Sequence, residues 1–193
     1  MSDQRPAASL YTVSDWARRA AGIVAAQASD DWLARLAAPQ DLAAVTGLER
    51  AGYPGVSESE ESFIATANAG VLVVAYVGPV IAGYGLALPT SGALPALGAV
   101  AEHFEPVDRP PSTLHVHDVC VDAGFRGRGI ASGLMAGFTD LAASLGLRSM
   151  SAVAVNGAEA LWCSLGWSAS GREPPPGYPP EAVALHRQVP PPR

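Results

Sequence analysis

Hydrophobic and polar positions follow two different periods on either side of a short glycine-rich stretch in the second half of the chain. From Leu114 to Asp122, apolar and polar residues alternate and Val is frequent, which predicts a β-strand. After Gly129, apolar residues recur at steps of three and four, which predicts an amphipathic helix from Ile130 to Leu145. The pattern therefore predicts a strand, a tight turn and a helix in direct succession.

The predicted turn has the composition of an anion-binding site. Its glycines allow close backbone approach, and the free N–H groups and dipole of the first helical turn favour negative charge. Arginine side chains beside a diphosphate add charge-assisted hydrogen bonds. The stretch consists of Arg126, Gly127, Arg128, Gly129, Ile130 and Ala131.

Earlier in the chain, the same reasoning predicts two helices and a hairpin. A first strand is predicted over Trp32 to Ala37, followed by a helix from Pro39 to Gly52. A second helix is predicted from Glu58 to Asn68, and Ser57 and Glu60 have the spacing of a capping box.

The uncharged run from Ala69 to Leu88 is long enough to imitate a membrane span. Gly78 and Pro79 interrupt it at the centre and are flanked by Val-rich runs. Two buried strands joined by a tight turn, Val71 to Val77 and Val80 to Leu88, fit better, so we expect no membrane association.

Further elements are predicted after the central helix. Arg148 to Val155 is predicted to be a strand parallel to the one before the helix. Asn156 is expected to cap a helix that ends at Gly166, and Ala182 to Gln188 is predicted to be an edge strand.

One domain accounts for most of the 193 residues. Residues 1–30 are predicted to form a helical extension, with a helix from Ser14 to about Val24, and residues 31–193 the domain. The extension is expected to cover an apolar patch, and a homodimer contact is the alternative.

Composition limits the partners. The net charge of −6 disfavours nucleic acid and mildly favours cationic substrates such as amines. Cys120 and Cys163 do not make a disulfide scaffold, and the chain does not open with a signal pattern. These features favour a cytoplasmic protein.

The turn also carries a family resemblance. Arg126-x-x-Gly129-x-Ala131 resembles the acyl-CoA signature of the GNAT family of N-acetyltransferases. Within that family, His115-x-His117 is similar to the arylalkylamine (serotonin-type) enzymes, and the NGAEALWCSLGW string resembles the family's closing motif. The resemblance spans about Trp32 to Trp167.

The resemblance implies an α/β fold with a mixed central sheet flanked by helices. It implies transfer of an acetyl group from acetyl-CoA to a primary amine by direct attack, without a metal, and favours a small molecule such as an arylalkylamine. The alternatives are a protein or peptide N-acetyltransferase and a non-catalytic acyl-CoA-binding module.

The resemblance also assigns the site. His115 and His117, two apart on a strand and expected on one face, are the candidate bases that deprotonate the amine. A backbone N–H of the central strand is implied as donor to the thioester oxyanion, and the same backbone pairs with the pantetheine arm. The implied cosubstrate-binding residues are Val119, Cys120, Val121, Arg126, Gly127, Arg128, Gly129, Ile130, Ala131, Asn156 and Trp162.

Two points stay open. Trp162 stands where many family members carry a tyrosine that protonates the leaving thiolate, so Cys163, Tyr178 or water would have to replace it. Glu58, Glu60 and Glu61 either meet the substrate's ammonium group or simply favour a helix N-terminus.

The long connection from Pro89 to Pro111, with a short helix at Leu97 to Phe104, is expected to border the substrate pocket.

Overall fold

The computed structural model describes Ala20, Ile23, residues 31–97 and residues 111–190. The helices are α1 (Leu42–Gly52), α2 (Glu60–Ala69), α3 (Ile130–Ser144) and α4 (Glu159–Ser164). The strands are β1 (Leu33–Leu36), β2 (Val71–Val77), β3 (Val80–Thr90), β4 (Thr113–Val121), β5 (Ser149–Ala154), β6 (Ser168–Ala169) and β7 (Val183–Gln188).

The strands form one seven-stranded sheet in the order β1-β2-β3-β4-β5-β7-β6. All neighbours are antiparallel except β4 and β5, which are parallel and joined through α3. The predicted α/β fold with a mixed central sheet is confirmed, as are the hairpin of β2 and β3 and the strand–helix–strand unit.

Helices cover both faces of the sheet. On one face, α3 buries Ile130, Leu134 and Phe138 against the central strands. On the other, Val45 of α1 and Phe63 of α2 pack with Tyr84 and Leu86 of β3. The period of three and four that predicted α3 is the spacing of its buried face, so its predicted bounds are correct to within one residue.

The cap of α2 differs from the prediction. Ser59, not Ser57, caps the helix, and its Oγ accepts a hydrogen bond from the backbone N–H of Ser62 at 3.1 Å. Glu60 and Glu61 therefore lie exposed in the first turn, where negative charge favours the helix N-terminus. Glu58 precedes the helix.

Two predictions near the C-terminal part are wrong. Asn156 does not cap α4: it has a left-handed φ of 54° in the turn before the helix, and Ala158 at the N-cap position has no side-chain cap bond. The strand predicted at the sheet edge, β7, lies between β5 and β6, because the two-residue β6 pairs with its outer side.

Some predictions fall outside the described residues. Of the predicted helix from Ser14 to Val24, the structure describes Ala20 and Ile23, which are helical, and Ala20 is buried in the main core. The short helix predicted at Leu97 to Phe104 lies beyond the described part except for Leu97. The division at residue 30 remains a prediction.

Within the described ranges, no helix has both the length and the apolar character needed to cross a membrane. The uncharged run that resembled a span is the β2–β3 hairpin, with Gly78 at its turn.

A buried carboxylate joins the first strand to the first helix. Asp41 accepts from both guanidinium NH groups of Arg35, at 2.7 and 3.0 Å, and from the Ala38 backbone N–H at 2.7 Å. Tyr76 of β2 donates its hydroxyl to the same carboxylate at 2.7 Å. The hydrogen bond from Arg35 holds the pKa of Asp41 down at about 2 despite its burial.

We expect Asp41→Asn to lower the free energy of unfolding by about 1–3 kcal/mol at pH 7, the usual cost of disrupting buried hydrogen bonds. Because the folded pKa is depressed, this stabilisation is present above the ordinary value of 3.8 and is lost as the pH falls through about 2. Urea denaturation of the wild type and of Asp41→Asn should show that the difference between their free energies of unfolding becomes smaller as the pH is lowered. Glu173→Gln, in an exposed loop, is the control; an equal loss there would contradict the assignment.

Candidate functional site

A β-bulge in β4 sets the geometry of the site. Leu86 and Ala87 are consecutive on β3, but they pair with Asp118 and Val116, so His117 is an extra residue in β4. The bulge reverses the alternation beyond it. Asp118 and Cys120 consequently lie on the face covered by α1, whereas Val119 contacts the α3 side.

The bulge coincides with the point where the sheet opens. The parallel pairing of β4 with β5 runs from Thr113 and Ser149 to Val116 and Ala152 and ends there. Beyond it, a cavity of about 540 Å³ lies between the two strands and reaches the start of α3. Its walls include Val119 and Val121 of β4 and Val153 of β5.

One end of the cavity is the glycine-rich turn. Gly127 and Gly129 have positive φ values of 79° and 76°, which side chains rarely adopt, and Gly129 is the N-cap of α3. The N–H groups in the first turn of α3, like those of any α-helix, have no intrahelical acceptor. Together with the helix dipole they form a site suited to an anion. The Arg126 guanidinium Nε donates to the Val121 carbonyl at 3.3 Å.

The structure brings most of the predicted site residues together. Neither His115 nor Arg128 lines the cavity; the Arg128 guanidinium instead lies 5.7 Å from the centre of the Phe125 ring. The remainder line it: His117, Val119, Cys120, Val121, Arg126, Gly127, Gly129, Ile130, Ala131, Asn156 and Trp162.

At the other end, His117 pairs with a carboxylate. Its Nε2 lies 3.4 Å from Glu58 Oε1, and both side chains are nearly inaccessible, at 2% and 3% exposure. Nδ1 of His117 is buried without a hydrogen-bond partner among the described residues. In the neutral tautomer that carries its proton on Nε2, the N–H faces Glu58. Nδ1 then keeps a lone pair and can act as a base.

Acidic groups surround this pair. Glu49 is buried and its Oε1 accepts the Glu58 backbone N–H at 3.0 Å, which holds Glu58 in position. Burial raises the pKa of Glu49 and that of Asp118, whose Oδ2 accepts the Tyr84 hydroxyl at 3.3 Å. Burial alone lowers the pKa of His117, but the Glu58 hydrogen bond and the Asp118 charge outweigh it and raise the pKa above 6.5.

His115 has a different environment from the one predicted. It is completely buried between β4 and β5, where Nδ1 lies 3.0 Å from the Ser151 hydroxyl. Burial, reinforced by the charge of His117, moves the pKa of His115 well below its ordinary value. Of the two histidines, only His117 lines the cavity.

Tyr53, at the C-terminal end of α1, was not predicted to belong to the site. Its hydroxyl donates to the Val119 carbonyl at 3.1 Å and accepts from the Val119 N–H at 3.3 Å. Val119 N–H is one of the backbone donors that the family resemblance assigns to the thioester, and here a phenol occupies it. Burial raises the pKa of Tyr53 well above 10, so the hydroxyl is protonated.

The groups suggested as replacements for the missing tyrosine differ in position. Trp162 lines the cavity with its ring packed edge-on against Trp167, the centroids 5.0 Å apart. Cys163 is exposed and does not line the cavity, whereas Tyr178 does. Of the two predicted side-chain replacements, only Tyr178 therefore has access to the cavity.

Cys120 has the small, buried role expected of it. Its Sγ lies 3.5 Å from the Leu48 carbonyl, and a Cβ on Gly52 would come within 2.4 Å of that sulfur. Burial raises the pKa of the thiol to about 11, so it is not a nucleophile at neutral pH.

Comparison with known proteins identifies the family. A family model described as the acetyltransferase (GNAT) family matches residues 42–167, more than half of the chain, and the chain belongs to this family. It is therefore an acetyl-CoA-dependent N-acetyltransferase, which removes the non-catalytic alternative. No curated protein sequence gives a significant match.

Solved structures show the same fold at low identity. An Escherichia coli N-acetyltransferase specific for an alanine of a ribosomal protein is 14% identical with a TM-score of 0.59, over 82% of this chain and 94% of that one. A CoA complex of an Escherichia coli GNAT family enzyme is 17% identical with a TM-score of 0.60, over 84% of each chain. Nourseothricin acetyltransferase is 17% identical with a TM-score of 0.59, over 83% and 99%.

We expect Arg126→Ala and Gly129→Asp to weaken acetyl-CoA binding by about 10- to 100-fold, the scale of losing a hydrogen bond to a charged group. Arg126→Ala removes the side chain that the resemblance assigns to the diphosphate, and Gly129→Asp adds negative charge at a backbone position with positive φ. Isothermal titration calorimetry measures both. Arg148→Ala, an exposed arginine elsewhere, should bind normally. Unchanged affinity in both folded site variants would exclude the turn as the diphosphate site.

Proposed function

We propose that the protein acetylates the primary amino group of a small cationic molecule, with His117 as the base. The observation that carries the proposal is the buried His117–Glu58 pair at the end of the cavity opposite the arginine–glycine turn. Acetyl-CoA entering with its diphosphate at that turn would bring its thioester towards this pair.

The charges at this end suit an amine. Glu49, Glu58 and Asp118 all line the cavity, and the nearest basic side chain in its lining besides His117 belongs to the turn, Arg126. An arriving ammonium group would offset the carboxylate charges that burial disfavours. Of the three glutamates that the sequence suggested for this role, Glu58 fits it, and Glu60 and Glu61 favour the start of α2.

The chemistry needs one proton acceptor before attack. An alkylammonium has no lone pair, so His117 Nδ1 takes a proton and Glu58 stabilises the imidazolium that results. The neutral amine then attacks the acetyl carbonyl carbon, the C–N bond forms and the C–S bond breaks. The second proton leaving the nitrogen neutralises the CoA thiolate.

We call the end of the cavity that contains His117 and Glu58 the acceptor end. The residues that border it favour a small molecule over a peptide. Leu97 and Tyr178 line the cavity from two different loops. These loops touch, because Leu97 packs against Gly177 and the Arg172 guanidinium donates to the Gly92 carbonyl at 2.9 Å. A peptide acceptor would need a long open groove here. The similar structures include enzymes for a protein and for nourseothricin, so likeness of fold does not discriminate.

The comparisons lend no support to the narrower arylalkylamine assignment, so a panel of acceptors tests the substrate class. We expect small primary amines, among arylalkylamines, linear diamines and aminoglycosides, to give kcat/KM values at least about tenfold above those of peptides with free N-termini. Release of CoA thiol measures the rate. Higher values for peptides would replace this proposal with a peptide N-acetyltransferase.

The role of His117 predicts a specific pH dependence. Because the base must be neutral and its pKa is raised, kcat/KM should rise with pH through an ionisation above 6.5. His117→Gln should remove this ionisation and lower the rate by about 10²–10⁴-fold, and Glu58→Gln should move the midpoint downwards.

His186→Gln, the same change at an exposed site on β7, is the control for the pH–rate profiles. Acetyl-CoA affinity should hardly change in His117→Gln. A folded His117→Gln protein with near wild-type turnover at pH 7 would exclude the histidine as base.

A further inference from the structure

The bulged half of β4 has backbone groups that face the cavity rather than a neighbouring strand. The Asp122 N–H donates to the Ala82 carbonyl, which fixes the phase of the antiparallel ladder with β3. Because alternate residues point their N–H and C=O groups to opposite sides, those of Val119 and Val121 face away from β3. On that side a paired β5 would bond these N–H and C=O groups, but the β4–β5 pairing has already ended at Val116 and Ala152.

Side chains hydrogen-bond these backbone groups instead. The Tyr53 hydroxyl bonds both the N–H and the C=O of Val119, and the Arg126 Nε donates to the Val121 carbonyl. Buried backbone groups require partners. Tyr53 and Arg126 therefore act as substitutes for a missing strand.

Acetyl-CoA has the chemistry to replace them. Its pantetheine arm is an extended chain with two amide groups that ends in the thioester carbonyl, and extended amides pair with open strand edges. An arm running from the Arg126 turn to His117 passes along Val121 and then Val119. It must compete with the Tyr53 hydroxyl for the Val119 backbone.

We propose that Tyr53 is a positioning residue: its hydroxyl holds the Val119 backbone in the free enzyme and gives it up to the acetyl-pantetheine arm. Asp118, next to Val119, also lines the cavity and is already within hydrogen-bonding reach of the Tyr53 hydroxyl, so it can keep that hydroxyl when the arm takes the Val119 backbone.

Tyr53→Phe tests the proposal because it removes the competing hydroxyl and keeps the ring. Acetyl-CoA should bind about two- to tenfold more tightly, the value of one net hydrogen bond. Adenosine 3′,5′-diphosphate, which lacks the arm, should bind equally to both proteins. In the free enzyme, the Val119 amide should exchange its hydrogen faster in the variant.

Tyr76→Phe, which removes a phenol hydroxyl that does not line the cavity, is the control and should leave acetyl-CoA affinity unchanged. Tyr53→Leu serves as a second variant without the hydroxyl should Tyr53→Phe fold poorly. Weaker or unchanged acetyl-CoA binding by the folded variants would overturn the proposal. An equal increase in affinity for adenosine 3′,5′-diphosphate would also overturn it, because the effect would then not involve the pantetheine arm.

Discussion

One extra residue in β4 determines the rest of the site. With His117 inserted, Asp118 pairs with Leu86 while Val116 pairs with Ala87, and the parallel pairing with β5 stops at Val116. A bulge bends and twists the strand that carries it. Beyond this point lie both the cavity and a stretch of β4 whose Val119 and Val121 backbone groups are bonded by the Tyr53 and Arg126 side chains rather than by a strand.

Burying the carboxylates of Glu49, Glu58 and Asp118 at one end of the cavity costs desolvation free energy, and their hydrogen bonds offset part of that cost. Glu49 accepts the Glu58 N–H, Glu58 pairs with His117, and Asp118 accepts from Tyr84. Each bond offsets part of the desolvation of a carboxylate, yet the pKa values of Glu49 and Asp118 remain raised. The cationic amine proposed as the acceptor would complete this compensation, and the charges that cost stability in the free enzyme would then favour its binding.

Local signals predicted the cosubstrate end, and long-range contacts determined the rest. The turn from Arg126 to Ala131 and the period of α3 are properties of consecutive residues, so the sequence was sufficient to predict the turn and the helix, although not whether they bind acetyl-CoA. Tyr53 bonds Val119 across 66 residues, and no local pattern reports such a contact. Glu49 did leave a signal, since it lies one turn after the buried Val45 and places a carboxylate on an apolar helix face. The bulge also left a signal: apolar residues fall at Leu114 and Val116 before it and at Val119 and Val121 after it, so the alternation shifts by one residue at the consecutive polar pair His117 and Asp118.

This division explains why the fold reveals the cosubstrate more readily than the acceptor. The turn, helix N-terminus and strand backbone that we assign to acetyl-CoA depend little on side-chain identity, and the fold that carries them is shared by structures only 14–17% identical to this chain. The acceptor end is built from side chains of separate segments: Glu49 and Tyr53 near the end of α1, Glu58 before α2, and Leu97 and Tyr178 in two loops. Loops can change independently of the sheet, so the acceptor can differ between proteins that keep the cosubstrate site intact. Glu49 and Glu58 come from separate segments, and the hydrogen bond from the Glu58 backbone N–H to the Glu49 carboxylate holds these two acids at the end of the cavity that we propose for the acceptor.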